Sequence, residues 1–157
     1  MTKTVAQVMT PNPVVTYPET PIEEAIAILG EHKFSGLPVV NERHQLVGVL
    51  SNQDILQRQE GVRPPVFFWF MDAVIWLENP YHYRQELHKV LGATVADVMT
   101  RNPISIRPEE PLTVAAHKMH QHRIRRLPVV NSENRVVGIL TRGDIVRSIA
   151  LDMQPQA

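Results

Sequence analysis

Apolar and polar positions follow one order along this chain, and that order occurs twice. In the first occurrence, VMTPNP is punctuated by Asn-Pro and predicts a turn or loop. Val14, Val15 and Thr16 then predict a short strand. A helix follows, with Thr20 at the N-cap, Pro21 at the first helical position and Glu23 at the third, a capping-box pattern. Ile22, Ala25, Ile26 and Leu29 fall at i, i+3, i+4 and i+7 and give that helix one apolar face. Next, LPVV, the polar connection NERHQ and LVGVL predict a hairpin, and a second helix starts at Ser51. The unit is β-α-β-β-α.

Shifting the chain by 90 positions aligns Val5–Leu56 with Val95–Val146 without a gap, and 22 of the 52 positions are identical. Ile104, Ser105 and Ile106 repeat the first strand, and Leu112, Ala115, Ala116 and Met119 repeat the apolar helix face. Two copies of one structural unit are therefore expected. A unit of about fifty residues buries little surface alone. Two copies packing their sheets around a pseudo-two-fold axis are the simplest architecture. The expected divisions are residues 1–60, an insert over 61–92, and residues 93–157, with 1–157 together forming one module.

Composition narrows the function. At 157 residues the chain can bury a core without disulfides or metal, and it has no cysteine, which excludes thiolate catalysis and cysteine-ligated metals. Sixteen basic and sixteen acidic residues cancel, so no global field favours nucleic acid. MTKTVAQVMT lacks the apolar run of a signal peptide. VFFWFMDAVIWL is too short and interrupted to span a bilayer. A cytoplasmic protein with no membrane partner is expected.

The hydroxyl and aspartate that follow each G-[VI]-L strand, Ser51 with Asp54 and Thr141 with Asp144, admit two readings. One is a capping-box variant that only starts the helix. The other is a ligand site. The helix begins at a strand end, where free N–H groups favour phosphate, and an aspartate one turn in can accept hydrogen bonds from a ribose diol.

VMTxNP, LPVV and G-[VI]-L-[ST]-x-x-D-I, in that order and twice, resemble the cystathionine-β-synthase (CBS) domain family over two thirds of the chain. The resemblance implies an α+β fold of two tandem CBS motifs with pseudo-two-fold symmetry, a stand-alone Bateman module. It implies pairing into a homodimer. It implies a regulatory, energy-sensing role for clefts that bind AMP, ADP or ATP, with S-adenosylmethionine or NAD(H) less expected. Carried onto this sequence, it assigns the ribose hydroxyls to Asp54 and Asp144 and nearby contacts to Ser51 and Thr141. It assigns adenine to Val14 and Phe34 in one cleft and to Ile104 and Ile124 in the other. The phosphates fall near Ser35 and Gly36, or near Arg125 and Arg126.

Charge separates the two copies. Residues 5–56 hold two basic and six acidic residues, while residues 95–146 hold eight basic and five acidic. RIRRLP and Arg142 lie in the second copy, and arginine forks suit phosphate oxygens. The stronger nucleotide site is accordingly expected at Asp144. The alternative role for these arginines is pairing with the acidic copy, in the same chain or in a partner.

The insert holds both tryptophans and three of the four phenylalanines, and PYHYRQELHKVL predicts a short helix. Such a segment covers a sheet edge or meets another protein. A long insert is similar to those of two-motif CBS proteins from chloroplasts and some bacteria. His117, His120 and His122 have no acid among them, and their counterparts are Ala27, Gly30 and His32, so solvated helix surface is expected rather than a metal site.

No nucleophile stands beside a histidine, and no P-loop or G-x-G-x-x-G occurs, so catalytic residues are not expected. A binding module acting on an unidentified partner in trans is the favoured reading. The alternative is a structural homodimerisation or protein-interaction module with vacant clefts.

Overall fold

The computed structural model describes residues 3–58, 67–70, 73–76, 85, 92 and 94–155. The first copy contains α1 (Val5–Val8), β1 (Thr10–Pro11), α2 (Ile22–His32), β2 (Gly36–Val40), β3 (Leu46–Ser51) and α3 (Asn52–Arg58). A two-stranded hairpin follows, β4 (Phe67–Phe70) and β5 (Ala73–Trp76). The second copy contains α4 (Val95–Val98), β6 (Thr100–Arg101), α5 (Leu112–Gln121), β7 (Arg126–Val130), β8 (Val136–Thr141) and α6 (Arg142–Asp152). Both expected hairpins are present, with Leu37 opposite Leu50 and Leu127 opposite Leu140. Among the described residues no helix is long and apolar enough to cross a membrane.

The leading segments are exchanged. β1 of the first copy pairs with β8 of the second, Thr10 opposite Ile139. β6 of the second copy pairs with β3 of the first, Thr100 opposite Val49. The helices ahead of these strands follow them across: the Val5 amide donates to the Glu110 carbonyl at 2.9 Å, and Val95 to Thr20 at 2.9 Å. Hence one core joins Ile22, Ala25, Leu29, Leu37 and Leu50 to Val95, Val98 and Met99, while the other joins Ile106, Ala115, Met119, Leu127 and Leu140 to Val5. The cores do not follow the sequence limits of the copies. A third cluster, Val40, Leu46, Val130 and Val136, lies between them. There the Leu46 amide donates to the Asn134 carbonyl and the Val136 amide to the His44 carbonyl, a reciprocal pair expected at a pseudo-two-fold axis.

The exchange explains the glycine of each G-[VI]-L strand. A Cβ on Gly48 would lie 2.7 Å from Met99 Sδ and 3.0 Å from the Thr100 carbonyl oxygen. A Cβ on Gly138 would meet Met9 Sδ and lie 3.1 Å from the Thr10 carbonyl oxygen. Each glycine admits the strand arriving from the other copy.

Three local expectations are corrected. The segment around VMTxNP is not simply a turn: it holds a one-turn helix and a two-residue strand, and the chain bends at Asn12 and Asn102 with φ of 46° and 49°. The strands expected at 14–16 and 104–106 reduce to single parallel bridges, Thr16 with Val39 and Ile106 with Val129. Helix α2 starts one residue later than expected, with Pro21 at the N-cap, because the Thr20 hydroxyl accepts from the Tyr17 amide instead. The helix expected within the insert lies outside the described residues apart from Gln85.

Thr16 is 2% exposed, and its hydroxyl has no hydrogen-bond partner among the described residues. Its counterpart in the second copy is Ile106, 1% exposed. A buried, unpaired hydroxyl costs about 1–3 kcal/mol. Thr16→Val is therefore expected to stabilise the protein by about 1 kcal/mol, a rise in Tm of about 2–4 °C for a domain of this size. Thermal denaturation checks this; an unchanged or lower Tm contradicts it.

Candidate functional site

The exchange of β6 creates a cleft between the copies. It is an open cavity of about 1010 Å3, and its lining includes Ser35, Ser51, Asn52 and Asp54 from the first copy. Thr100, Asn102, Ile104, Ile124, Arg125, Arg126 and Arg142 come from the second. Residues 104–106 run beside β7, since Ile106 bridges Val129. Carrying β6 onto β3 therefore brings that edge of the second copy to helix α3.

This grouping differs from the one expected from sequence. Ile104, Ile124, Arg125 and Arg126 lie with Asp54, not with Asp144. Ser35, Ser51 and Arg142 join them. Val14, Phe34, Gly36, Thr141 and Asp144 do not line this cleft. Val14 and Phe34 are 39% and 37% exposed, and the Phe34 ring stacks on His32 with centroids 5.0 Å apart. Gly36 is buried against Arg126: a Cβ there would lie 2.8 Å from Arg126 Cδ and Nε. The β1–β8 pairing places Thr10 beside the strand that leads to Thr141 and Asp144, mirroring the placement of Thr100 beside β3.

Both Ser/Thr-Asp pairs form complete capping boxes. Asp54 Oδ2 accepts from the Ser51 amide and hydroxyl, each at 2.9 Å, while the Asp54 amide donates to Ser51 Oγ at 3.2 Å. Thr141 and Asp144 make the same three bonds at 2.9, 2.8 and 3.2 Å. The box thus orients each carboxylate and uses one of its two oxygens.

The second oxygen distinguishes the two copies. Asp54 Oδ1 accepts from the Thr100 hydroxyl at 2.9 Å, which leaves it further acceptor capacity toward the cleft. Asp144 Oδ1 instead accepts from the Arg147 guanidinium at 3.2 Å, and the Asp144 side chain is only 12% exposed. The counterpart of Arg147 in the first copy is Gln57.

Positive charge concentrates at the Asp54 cleft. Arg123, Arg125, Arg126 and Arg142 line it, and among the described residues Asp54 is the one carboxylate in the lining. Burial pushes the Arg126 guanidinium below its ordinary value; the nearby Asp54 pulls it back up, and Arg125 lowers it further. Arg126 Nε donates to Ser35 Oγ at 3.3 Å and so crosses from one copy to the other. A cleft with one carboxylate, two branched apolar side chains and an excess of guanidinium groups can hold a diol, a flat apolar ring and an anion together. Among the described residues no group of three histidine or acidic side chains is placed to hold a metal ion.

Sequence reasoning passed over Thr100, Asn102 and Pro103 as punctuation. Their signal was the verbatim recurrence of Val-Met-Thr and Asn-Pro in both copies. Arg147 was also missed, although it is one of the positions at which the two copies differ in charge.

Known proteins share this fold. The chain is 35% identical over 149 residues to the chloroplastic CBS domain-containing protein CBSX2 of Arabidopsis thaliana, covering 92% of this chain and 63% of that protein. It therefore spans less than two thirds of the length of that relative. Protein MJ1426 of Methanocaldococcus jannaschii is 31% identical over 144 residues, covering 87% of this chain and 86% of the relative. The crystal structure of CBSX2 in complex with AMP superposes with a TM-score of 0.74 at 32% identity, over 96% of this chain and 99% of that one. The CBS domain pair of protein MJ0100, in complex with 5′-methylthioadenosine and S-adenosyl-L-methionine, superposes with a TM-score of 0.71 at 27% identity, over 97% and 99%. The sequence profile of the CBS domain matches residues 5–61 and 95–151, and with both repeats and their hairpins accounted for, the chain belongs to the CBS-domain family as a tandem pair.

Proposed function

We propose that this CBS pair is a regulatory module that binds an adenosine nucleotide in the Asp54 cleft and passes its occupancy to a partner protein in trans. The observation that carries this reading is the meeting of Asp54, Ile104 and Ile124 with Arg125, Arg126 and Arg142 in one cavity. In this reading Asp54 Oδ1 accepts from the ribose hydroxyls. Adenine lies between Ile104 and Ile124. The phosphates face Arg125, Arg126 and Arg142, with Ser35 and Ser51 beside them. Complexes of AMP with CBSX2, and of two adenosine-containing ligands with the MJ0100 pair, support that ligand class. The arginines favour AMP, ADP or ATP over an uncharged or cationic adenosine compound.

The Asp144 site is the lesser one in this reading, because Asp144 Oδ1 is already paired with a guanidinium, that of Arg147, whereas Asp54 Oδ1 accepts only from the neutral Thr100 hydroxyl. Thr141, Val14, Phe34 and Gly36 belong with that second site. Ligand binding that prefers one arrangement of the two copies shifts their populations, and the partner reads that shift. The module acts as a homodimer.

Calorimetric titration of nucleotide-free protein with AMP, ADP, ATP, S-adenosylmethionine and NADH tests the proposal. Micromolar binding of an adenine nucleotide is expected, with loss of at least tenfold in Asp54→Ala, about the 1.4 kcal/mol of one hydrogen bond to a charged group. A smaller loss is expected in Asp144→Ala. The absence of binding by all five ligands would favour the structural module with vacant clefts, and equal losses in the two variants would overturn the assignment to Asp54.

A further inference from the structure

Two polar side chains of the cleft have no part in holding a nucleoside monophosphate. His122 and Arg123 line the cavity beside Ile124, Arg125 and Arg126. The end of α5 puts them there. The helix stops at Gln121 with His122 as its C-cap, and the His122 amide donates to the Lys118 carbonyl at 3.0 Å. Arg123 then takes a left-handed conformation, with φ of 53°, and the Ile124 amide returns to the Met119 carbonyl at 3.0 Å. One left-handed residue thus closes the helix and reverses the chain. Residues 122–126 run along the cleft wall as the chain enters β7 at Arg126. His122 and Arg123 are exposed, while Arg126 is half-buried near Asp54. The first two therefore stand toward the mouth of the cleft.

Charge and space both exceed what one phosphate group uses. Among the described residues, the lining sets four guanidinium groups against the single carboxylate of Asp54, an excess of three positive charges before His122 is counted. Arg123, Arg125 and Arg142 form no ion pair among the described residues. A phosphate monoester carries about −1.5 to −2 charge near pH 7, so a nucleoside monophosphate leaves part of this excess unneutralised. Each further phosphate adds negative charge and acceptor oxygens that suit guanidinium forks. The cavity, at about 1010 Å3, lies at the upper end of the range for small-molecule sites, about 300–1,000 Å3. The matching wall of the first copy does not repeat these features. Its counterparts of Arg125, Arg126 and Arg142 are Ser35, Gly36 and Asn52. There His32 stacks on Phe34, whereas Ile124 offers His122 no ring.

We propose that His122 and Arg123 form an outer anion subsite of the Asp54 cleft, which takes the phosphates beyond the first and makes the site prefer ADP and ATP to AMP. Arg125 and Arg126 hold the first phosphate, and the phosphate chain leads from there toward the mouth. The ligand that the module registers is then a nucleoside polyphosphate, and loss of its outer phosphates weakens binding. The inference rests on the nucleotide reading of the Asp54 cleft and adds which phosphates are read and by which residues.

Calorimetric titration of the nucleotide-free full chain with adenosine, AMP, ADP and ATP, without divalent cations, tests this. ATP is expected to bind about tenfold or more tighter than AMP, the equivalent of a charge-assisted hydrogen bond. Arg123→Asn removes the charge and keeps the turn, since asparagine accepts positive φ; its preference for ATP over AMP should fall about fivefold or more. His122→Ala should lower the same preference by a smaller factor. Arg135→Gln removes the same charge outside the cleft, where Arg135 pairs with Glu133 at 3.4 Å, and should leave the preference within about twofold of the parent. An equal fall in Arg135→Gln would assign the preference to the general field of the second copy and overturn the inference. Equal affinities for AMP and ATP, both lost in Asp54→Ala, would overturn the outer subsite and leave the nucleotide reading standing. An unchanged preference in both cleft variants would also overturn it, and no binding of any nucleotide would overturn both readings.

Discussion

A fragment limited to residues 1–58 is expected to be unfolded as a monomer. Its core in the full chain includes Val95, Val98 and Met99, each under 9% exposed, and all three lie outside the fragment. Burying each such side chain contributes about 1.5–3 kcal/mol, so their loss removes roughly 5–9 kcal/mol. That is comparable with the whole stability of a typical domain, about 5–15 kcal/mol. Strand β3 also loses β6 and becomes an open edge. The fragment keeps its own leading segment, VAQVMT, which differs from VADVMT at one position. In the native chain that segment serves the other copy. Two fragments can therefore complete each other by trading leading segments, so helicity should rise with concentration and appear only together with dimers. Circular dichroism and sedimentation over a concentration series check this. A folded monomeric fragment would show that the exchange is dispensable for the core.

The same exchange marks the limit of what could be read from sequence. The hairpins and capping boxes were legible because their signals are local. LPVV and LVGVL are short apolar runs joined by a short polar connection, and Ser51 and Asp54 are close enough along the chain to bond each other. The destination of a leading segment is not local. VAQVMT and VADVMT present the same valine and methionine pattern, and either would fit either core. The choice rests on chain geometry, which carries Val5 to the second core and Val95 to the first. Sequence spacing therefore grouped Ile104, Ile124, Arg125 and Arg126 with Asp144, whereas the folded chain lines one cleft with them and Asp54. The helix start at Thr20 failed for a smaller reason: the hydroxyl had a competing backbone amide, that of Tyr17, within reach. In the insert, FFWF and AVIW flank Met71 and Asp72 and form a hairpin, yet continuous apolar runs carry no period that separates strand from helix.

Arg126→Met should make the nucleotide-free protein more stable and the nucleotide-bound protein less so. Burial and the neighbouring Arg125 push the Arg126 guanidinium below its ordinary value, and the attraction of Asp54 does not fully restore it. A cation whose folded-state value is lowered binds its proton less tightly folded than unfolded. Its charge therefore opposes folding throughout neutral pH, and the opposition fades only as pH rises through the folded-state value. Methionine keeps an apolar stem of similar length over Gly36 and removes the charge. The hydrogen bond to Ser35, at 3.3 Å and partly exposed, is a small loss by comparison. A phosphate group beside Arg126 and Arg125 reverses the sign, because it supplies the negative charge that Asp54 alone does not. Losing one charge-assisted hydrogen bond costs about 1.5–3 kcal/mol, a fall in ATP affinity of roughly 10- to 150-fold. Adenosine, which lacks phosphate, should bind both forms alike. Thermal denaturation with and without ATP reads both effects: the variant should melt higher when free and gain less on adding nucleotide. A variant less stable when free would mean that Arg126 is held for its contacts with Ser35 and Gly36 rather than for its charge. An unchanged ATP affinity would remove Arg126 from the phosphate site and leave Arg125 and Arg142 to account for selectivity. The expected result would instead show that the second copy's Arg126, packed over its counterpart Gly36 of the first copy, is held in the cleft for its charge rather than for its contacts.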